Sequence, residues 1–444
     1  MKITMIKPNI GLLQLKKGKD VPFNDKGRME PLQLGVLAGL TPDHHEIKLI
    51  DDRINPVDYE EPTDLVAITV EIYMAKRAYE IATEYRSRGV SVVFGGIHAS
   101  LLPEEASQYA DSIIIGDAEA VWEQVLIDVE KEELKKEYHS NPSYPHPGKI
   151  ARRSIYRGNT YLPLTLLQYG RGCPFGCSFC SISVYFQKQN FYRNIDEVLN
   201  DIKAQKRRFL FFVDDNIIGD KDKAKELFRA LIPVKVKWVG QASLNMTEDP
   251  ELMDLMQKSG CIGLVIGFES YSESGLQEFN KTPNELINYD EQIRIIRKHR
   301  INIWAAFVLG HDAETKETLM ETLKFTIRKK FAFVAFNVLM PYPKTEVYEN
   351  LEAENRLLYD GKWWLHPDYR FNFAAFKPKH MTADELTEYS YYMRKKFNSV
   401  PVILKRVFAW HNFRNIGRLL FLFRMMFLYR RETFKKQGMK FGVK

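Results

Sequence analysis

Cysteine is scarce in this chain: there are four in 444 residues, and none before residue 173. That scarcity excludes a disulfide framework and suits a reducing, cytoplasmic setting. Long apolar runs are also missing. None reaches the ~18 residues that suggest a membrane-spanning helix. No charged-then-apolar leader opens the chain either; Met1-Lys2-Ile3-Thr4-Met5-Ile6-Lys7-Pro8 reads as a strand that stops at a proline. Acid is nearly absent from the carboxyl end. Residues 402–444 hold eleven Lys and Arg against the single Glu432, which exceeds the whole net charge of +7. Otherwise 45% hydrophobic and 27% charged residues are ordinary for a globular protein, and the length allows two or three domains.

What is present is concentrated. Cys173, Cys177 and Cys180 share one stretch, Arg171-Gly172-Cys173-Pro174-Phe175-Gly176-Cys177-Ser178-Phe179-Cys180, spaced C-x3-C-x2-C. Three thiolates can hold three irons of a [4Fe–4S] cube, which takes four cysteines when fully ligated. The fourth iron then stays open to a small chelating molecule. Gly172, Pro174 and Gly176 let the loop wrap tightly. Structural zinc would want four closed ligands, usually as two spaced pairs, and no second pair exists. Cys261 precedes an apolar run and reads as core.

Around this loop the chain alternates strand and helix patterns. In residues 1–125 the expected strands are 3–7, 46–51, 65–70, 91–94 and 112–115, with a helix over 72–88 among the connections. This is the pattern of a doubly wound parallel sheet, whose ligands bind at the carboxyl ends of the strands. Those ends carry Pro8-Asn9, Thr69-Val70-Glu71, Gly95-Gly96-Ile97-His98 and Gly116-Asp117-Ala118-Glu119. Residues 126–160 read as a linker, with a charge run over 130–137 and a breaker-rich stretch over 141–148. Over 161–350 six strands are expected, at 164–168, 209–213, 237–241, 263–268, 302–309 and 333–339. Residues 351–444 form an aromatic and basic helical region, with Thr382 and Glu385 as a capping pair.

The cysteine loop, with Phe179 before the last cysteine, resembles the cluster motif of the radical S-adenosylmethionine (SAM) superfamily. That resemblance implies a partial (β/α)6 barrel over 161–350 and a cluster whose open iron is chelated by SAM. One-electron cleavage of SAM would then yield a 5′-deoxyadenosyl radical. It further implies that Asp215, Gln241, Ser243 and Glu269 face SAM's polar groups, that Leu309 meets the adenine, and that Phe179 lies by the cofactor. The family's usual second-strand G-G-E is replaced by Asp214-Asp215-Asn216, so which acid takes the SAM ammonium stays open.

Residues 1–125, with Glu30-Pro31-Leu32-Gln33-Leu34-Gly35, resemble the Rossmann-like cobalamin-binding domain that precedes some radical SAM cores. Pro8, Thr69, Gly95, Gly96, His98, Gly116 and Glu119 would then line the cobalamin. The motif D-x-H-x-x-G is absent, so His98 is expected near the cofactor tail and not as a cobalt ligand. Related layouts occur in hopanoid methylases and the anaerobic magnesium-protoporphyrin cyclase. The resemblance therefore implies a cobalamin-dependent C-methyltransferase acting on a hydrophobic lipid or tetrapyrrole. It also implies an external one-electron reductant such as flavodoxin or ferredoxin. Two alternatives stay open. One is a cobalamin-dependent cyclase, oxidase or ring-rearranging enzyme without methyl transfer. The other is an RNA-modifying enzyme, although the methylthiotransferases of that kind carry extra cysteines in their first domain. No RNA-recognition module accompanies the basic tail, which argues against nucleic acid. The tail fits two descriptions: a helix pair packed on the barrel, or a segment in contact with the inner face of a membrane.

Overall fold

The computed structural model describes residues 1–14, 20–22, 28–140, 150–205, 207–284, 289–412 and 416–443. The breaker-rich stretch 141–148 lies outside them. Two compact units form. One comprises Met1–Leu162, Lys362–Phe371 and Gly438–Lys444; the other comprises Pro163–Gly361 and Asn372–Gln437.

The first unit is built on β1 (Lys2–Lys7), β2 (Glu46–Asp51), β3 (Leu65–Thr69), β4 (Ser91–Gly95), β5 (Ser112–Ile115) and β6 (Glu137–His139). All pairings are parallel, in the order β2-β1-β3-β4-β5-β6. A parallel sheet covered on both faces wants continuous apolar strands. The run Leu65-Val66-Ala67-Ile68 meets that demand, and all four residues are buried. Helices Leu32–Leu40, Ala75–Ser87 and Trp122–Glu130 connect the strands. Trp122 is buried, and its indole N–H donates to Thr41 Oγ1 at 2.9 Å, so its one polar atom is satisfied.

The compact unit runs beyond the expected boundary at 125. The helix ends at Glu130, and β6 follows within the stretch expected to be linker. Tyr138 anchors this short strand: it is buried and donates to Asp128 at 2.6 Å. Distant segments also return to this unit. Lys440–Phe441 pairs antiparallel with Gly11–Gln14, which pairs in turn with Asp20–Pro22. Trp363, Tyr369 and Phe441 pack around one another with ring centroids 5.2–6.2 Å apart.

The second unit holds β7 (Thr165–Leu167), β8 (Phe209–Phe212), β9 (Lys237–Ala242), β10 (Cys261–Glu269), β11 (Asn302–Leu309) and β12 (Phe333–Val338). They are parallel and lie in sequence order. Among the described residues β7 and β12 are edges, so the sheet is a partial (β/α)6 barrel. Its helices start where sequence placed cap residues: Asn194, Asp220, Asp249 and Thr315 each accept a backbone N–H of the first turn. Cys261 is buried in this core. The parallel arrangement brings the carboxyl ends of all six strands to one rim.

The region expected over 351–444 is divided between the two units. Trp363, Trp364 and Tyr369 belong to the first; helices Ala383–Phe397, Val400–Val407 and Ile416–Lys436 belong to the second. No helix among the described residues is long and apolar enough to cross a membrane. The capping box is present: Thr382 Oγ1 accepts the Glu385 N–H at 3.1 Å, and Glu385 Oε2 accepts the Thr382 N–H at 2.9 Å. Thr382→Ala is expected to cost about 1 kcal/mol. The readout is faster amide exchange over residues 383–386 with exchange in the first unit unchanged.

Candidate active site at the cysteine loop

The cysteine loop leaves strand Gly170–Gly172, which pairs antiparallel with Asn190–Tyr192. Gly172 is obligatory: its φ is +82°, and a Cβ there would lie 2.0 Å from Gln189 O. The loop is then tied down through its backbone. Ser178 N–H donates to Phe279 O at 3.1 Å, Asn280 Nδ2 to Gly176 O at 2.9 Å, and Val347 N–H to Ser178 O at 3.1 Å. Phe179 packs against Phe279, with centroids 5.1 Å apart. The side chain before the last cysteine therefore serves as an anchor.

All three cysteines are free thiols and half-buried. Burial pushes each thiol up, Cys177 to about 11. Thiols in this state become ligands only when iron displaces their protons. Among the described residues, one three-residue group has ligand atoms mutually within 4.8 Å, and it is His44, His45 and Glu130.

Asp214 and Asp215 differ in their surroundings. Asp214 is buried, and its two oxygens accept the Gly170 and Tyr169 N–H groups, the latter at 3.2 Å. Burial raises its pKa to about 7. Asp215 is less buried and accepts the Gly172 N–H at 2.9 Å through Oδ2. Both acids therefore hold the backbone that leads into the cysteine loop. Gln241 donates to Asp214 O at 3.2 Å. Ser243 accepts Asn216 Nδ2 at 3.1 Å and donates to Asn245 at 2.7 Å. Asn216 also reaches Cys173 Sγ at 3.9 Å, so this side chain joins the loop to β9.

Glu269 closes β10 at a register shift, with φ +61°, a left-handed conformation rare for glutamate. It is buried and paired with Lys281 at 2.8 Å. Burial opposes the lysine's charge, but Glu269 and the thiols outweigh it and hold its pKa above the ordinary value. Gly267 makes the pair feasible, because a Cβ there would lie 2.1 Å from Glu269 Oε1. Lys281 and Asn216 were not singled out from sequence. No short motif marks Lys281, which lies beyond an intervening helix, whereas Asn216 directly follows the acid pair.

The other candidates are placed less uniformly. Leu309 is 1% exposed and belongs to the barrel core, so its expected contact with adenine is not evident. In the first unit, Thr69 and Gly95 are the last residues of β3 and β4, and Pro8, Gly96, Gly116 and Glu119 lie just beyond β1, β4 and β5. Nothing lies within 4 Å of a Cβ built at Gly95, so backbone there can be approached closely. Gly96 and Gly116 have φ of +104° and +92° and turn tightly against Val70 O and Ser140 O. His98 differs from expectation: it is 1% exposed, and its Nε2 lies 2.8 Å from Tyr79 OH and 3.3 Å from Glu105. Its ring is taken up inside the unit. Beside these residues, Lys7 pairs with Glu71, and Arg77 with Asp52 at 2.8 Å, placing buried charge at the carboxyl edge of the sheet.

The sequence also matches known proteins. The Radical SAM superfamily profile covers residues 167–326. Bacteriochlorophyllide d C-8(2)-methyltransferase of Chlorobaculum tepidum is 32% identical over 354 residues, 73% of this chain and 77% of that protein. The chain belongs to the radical SAM superfamily. As a radical SAM enzyme it has a [4Fe–4S] cluster and SAM as cofactors, and the free cysteine triad fits the cluster. A second relative, bacteriochlorophyllide d C-12(1)-methyltransferase of the same organism, is 29% identical over 411 residues, 89% of each chain. Among solved structures, the cobalamin-dependent radical SAM enzyme OxsB with aqua-cobalamin bound has TM-score 0.65 at 16% identity, covering 97% of this chain and 71% of that one. At that identity the likeness establishes the fold.

Two variants test the radical SAM site. Asp214→Asn sets an amide NH2 against one of two backbone donors. It is expected to cost about 1–3 kcal/mol and to speed chelator removal of iron from the reconstituted protein. Lys281→Met removes a positive charge beside the thiols and leaves Glu269 unpaired. An EPR redox titration should show a more negative cluster potential, and Lys281→Arg should restore most of it.

Proposed function

We propose that this radical SAM enzyme uses cobalamin to transfer a methyl group to carbon on a hydrophobic tetrapyrrole. The observation that carries the reading is the similarity, over 89% of the chain, to a methyltransferase named for bacteriochlorophyllide d. When bound, the cluster with SAM supplies a radical that removes hydrogen from an unactivated carbon, and cobalamin carries the methyl group.

The chain's own residues then have distinct tasks. Cys173, Cys177 and Cys180 hold three irons and leave the fourth open. Asp214 has both oxygens committed to backbone N–H groups. Asp215 commits one oxygen to Gly172 and offers the other to the SAM ammonium. Gln241, Ser243 and the Glu269–Lys281 pair complete the polar rim toward SAM. Gly95, open at its Cβ position, would give cobalamin a close backbone approach, with Thr69 at the neighbouring strand end, while Gly96 and Gly116 shape the loops beside it. His98, held by Tyr79 and Glu105, leaves cobalt without a histidine ligand from this loop. The electron comes from an external one-electron carrier of the flavodoxin or ferredoxin type.

Anaerobic reconstitution with iron, sulfide and hydroxocobalamin tests the reading. About four irons and roughly one cobalt per chain are expected. With methyl-deuterated SAM, a reductant and a bacteriochlorophyllide, mass spectrometry should show a transferred deuterated methyl group. Four irons without retained cobalt, or a product lacking the methyl, would overturn it.

A further inference from the structure

Exposed large apolar side chains are not scattered over this protein. Among the described residues, nine of the thirteen lie between Tyr392 and Phe423. They arise because helix Ile416–Lys436 is apolar on two faces. One face buries Leu422 and Met426 against Ile403, Val407 and Ala332 within the second unit. The other leaves Ile416 76%, Leu420 52% and Phe423 37% exposed, at i, i+4 and i+7 on the same stripe. The preceding helix, Val400–Val407, continues the surface: Val400, Leu404 and Phe408 are exposed at four-residue spacing, and Trp410 follows at 88%. Contiguous exposed apolar surface marks an interaction site.

The charge beside it selects the occupant. No Asp or Glu occurs between Glu388 and Glu432, and Glu432 is buried. Lys395, Lys396, Lys405, Arg424 and Arg431 are exposed in the same span. A second copy docked by a two-fold axis would set this basic patch against itself. An apolar face rimmed by Lys and Arg, with tryptophan at its edge, instead matches a negatively charged lipid surface. No helix among the described residues could cross the bilayer. We propose that the surface formed by residues 400–412 and 416–424 docks the protein on an anionic membrane, with Phe408, Trp410, Leu420 and Phe423 entering the headgroup layer. The inference stands on the helix pair alone and is independent of the methyltransferase reading.

The test is sedimentation of the full-length, cluster-loaded protein with vesicles of phosphatidylcholine alone or with about one-third phosphatidylglycerol. Binding at least about tenfold stronger to the anionic vesicles, and weakened by about 0.5 M salt, is expected. The variants Trp410→Asp with Leu420→Asp, and Lys405→Glu with Arg424→Glu, should each lose binding while keeping iron content and gel-filtration volume. Equal binding to neutral vesicles, or no binding, would overturn the proposal. So would a concentration-dependent dimer that the apolar variant abolishes without any vesicle binding, since that outcome assigns the face to a second copy.

Discussion

The hydrogen bonds from Asp214 and Asp215 to the backbone at 169, 170 and 172 are the constraint on which the site depends. A loop that must present three sulfurs has few side chains left for its own support. Support comes instead from just beyond β8, where Asp214 and Asp215 direct two carboxyl groups at the N–H groups of the segment entering the loop. Carboxyl oxygens that accept backbone N–H groups set position without competing for the thiols. Phe279, Asn280 and Val347 add further ties through backbone carbonyls and amides. The loop is thereby held from three parts of the barrel.

The Glu269–Lys281 pair is a second, dependent device. A buried ion pair is weak evidence for stability, because desolvation opposes it. Here it also requires a left-handed glutamate and a glycine two residues earlier. Strain of this kind persists where the surroundings over-determine it, and such places tend to be functional. Its location, with a lysine whose charge is felt by all three thiols, links the fourth strand to the electrostatics of the cluster.

Much of the frame could be read from sequence because parallel strands buried on both faces are continuous Val, Ile, Leu and Phe runs. Ten of the eleven expected strands match to within one residue at either end, and the eleventh, β10, begins two residues early, at Cys261. Within the two six-stranded sheets the strand missed is β6, which is three residues long and starts with a charged Glu, so only its pairing reveals it; the short antiparallel strands at 11–14, 20–22, 170–172, 190–192 and 440–441 also gave no periodic signal. The cysteine triad was visible from spacing alone. Lys281 was not, because its meaning comes from a turn that folds it back onto Glu269. His98 followed a promising double glycine, yet Tyr79 and Glu105, both outside that loop, decide its surroundings. The aromatic and basic region over 351–444 is continuous in sequence, but the chain divides it between two units.

The first unit is assembled from three separate pieces of chain, and the last of them is Lys440–Phe441 pairing with Gly11–Gln14. During synthesis the strand at 11–14 therefore waits for a second partner that is added only after every strand of the barrel. The second unit has sequential strands and draws on nothing beyond Gln437. The unit whose sheet starts earlier in the chain is thus completed later, and deleting 438–441 would leave the barrel's strands intact and the strand at 11–14 with one neighbour fewer.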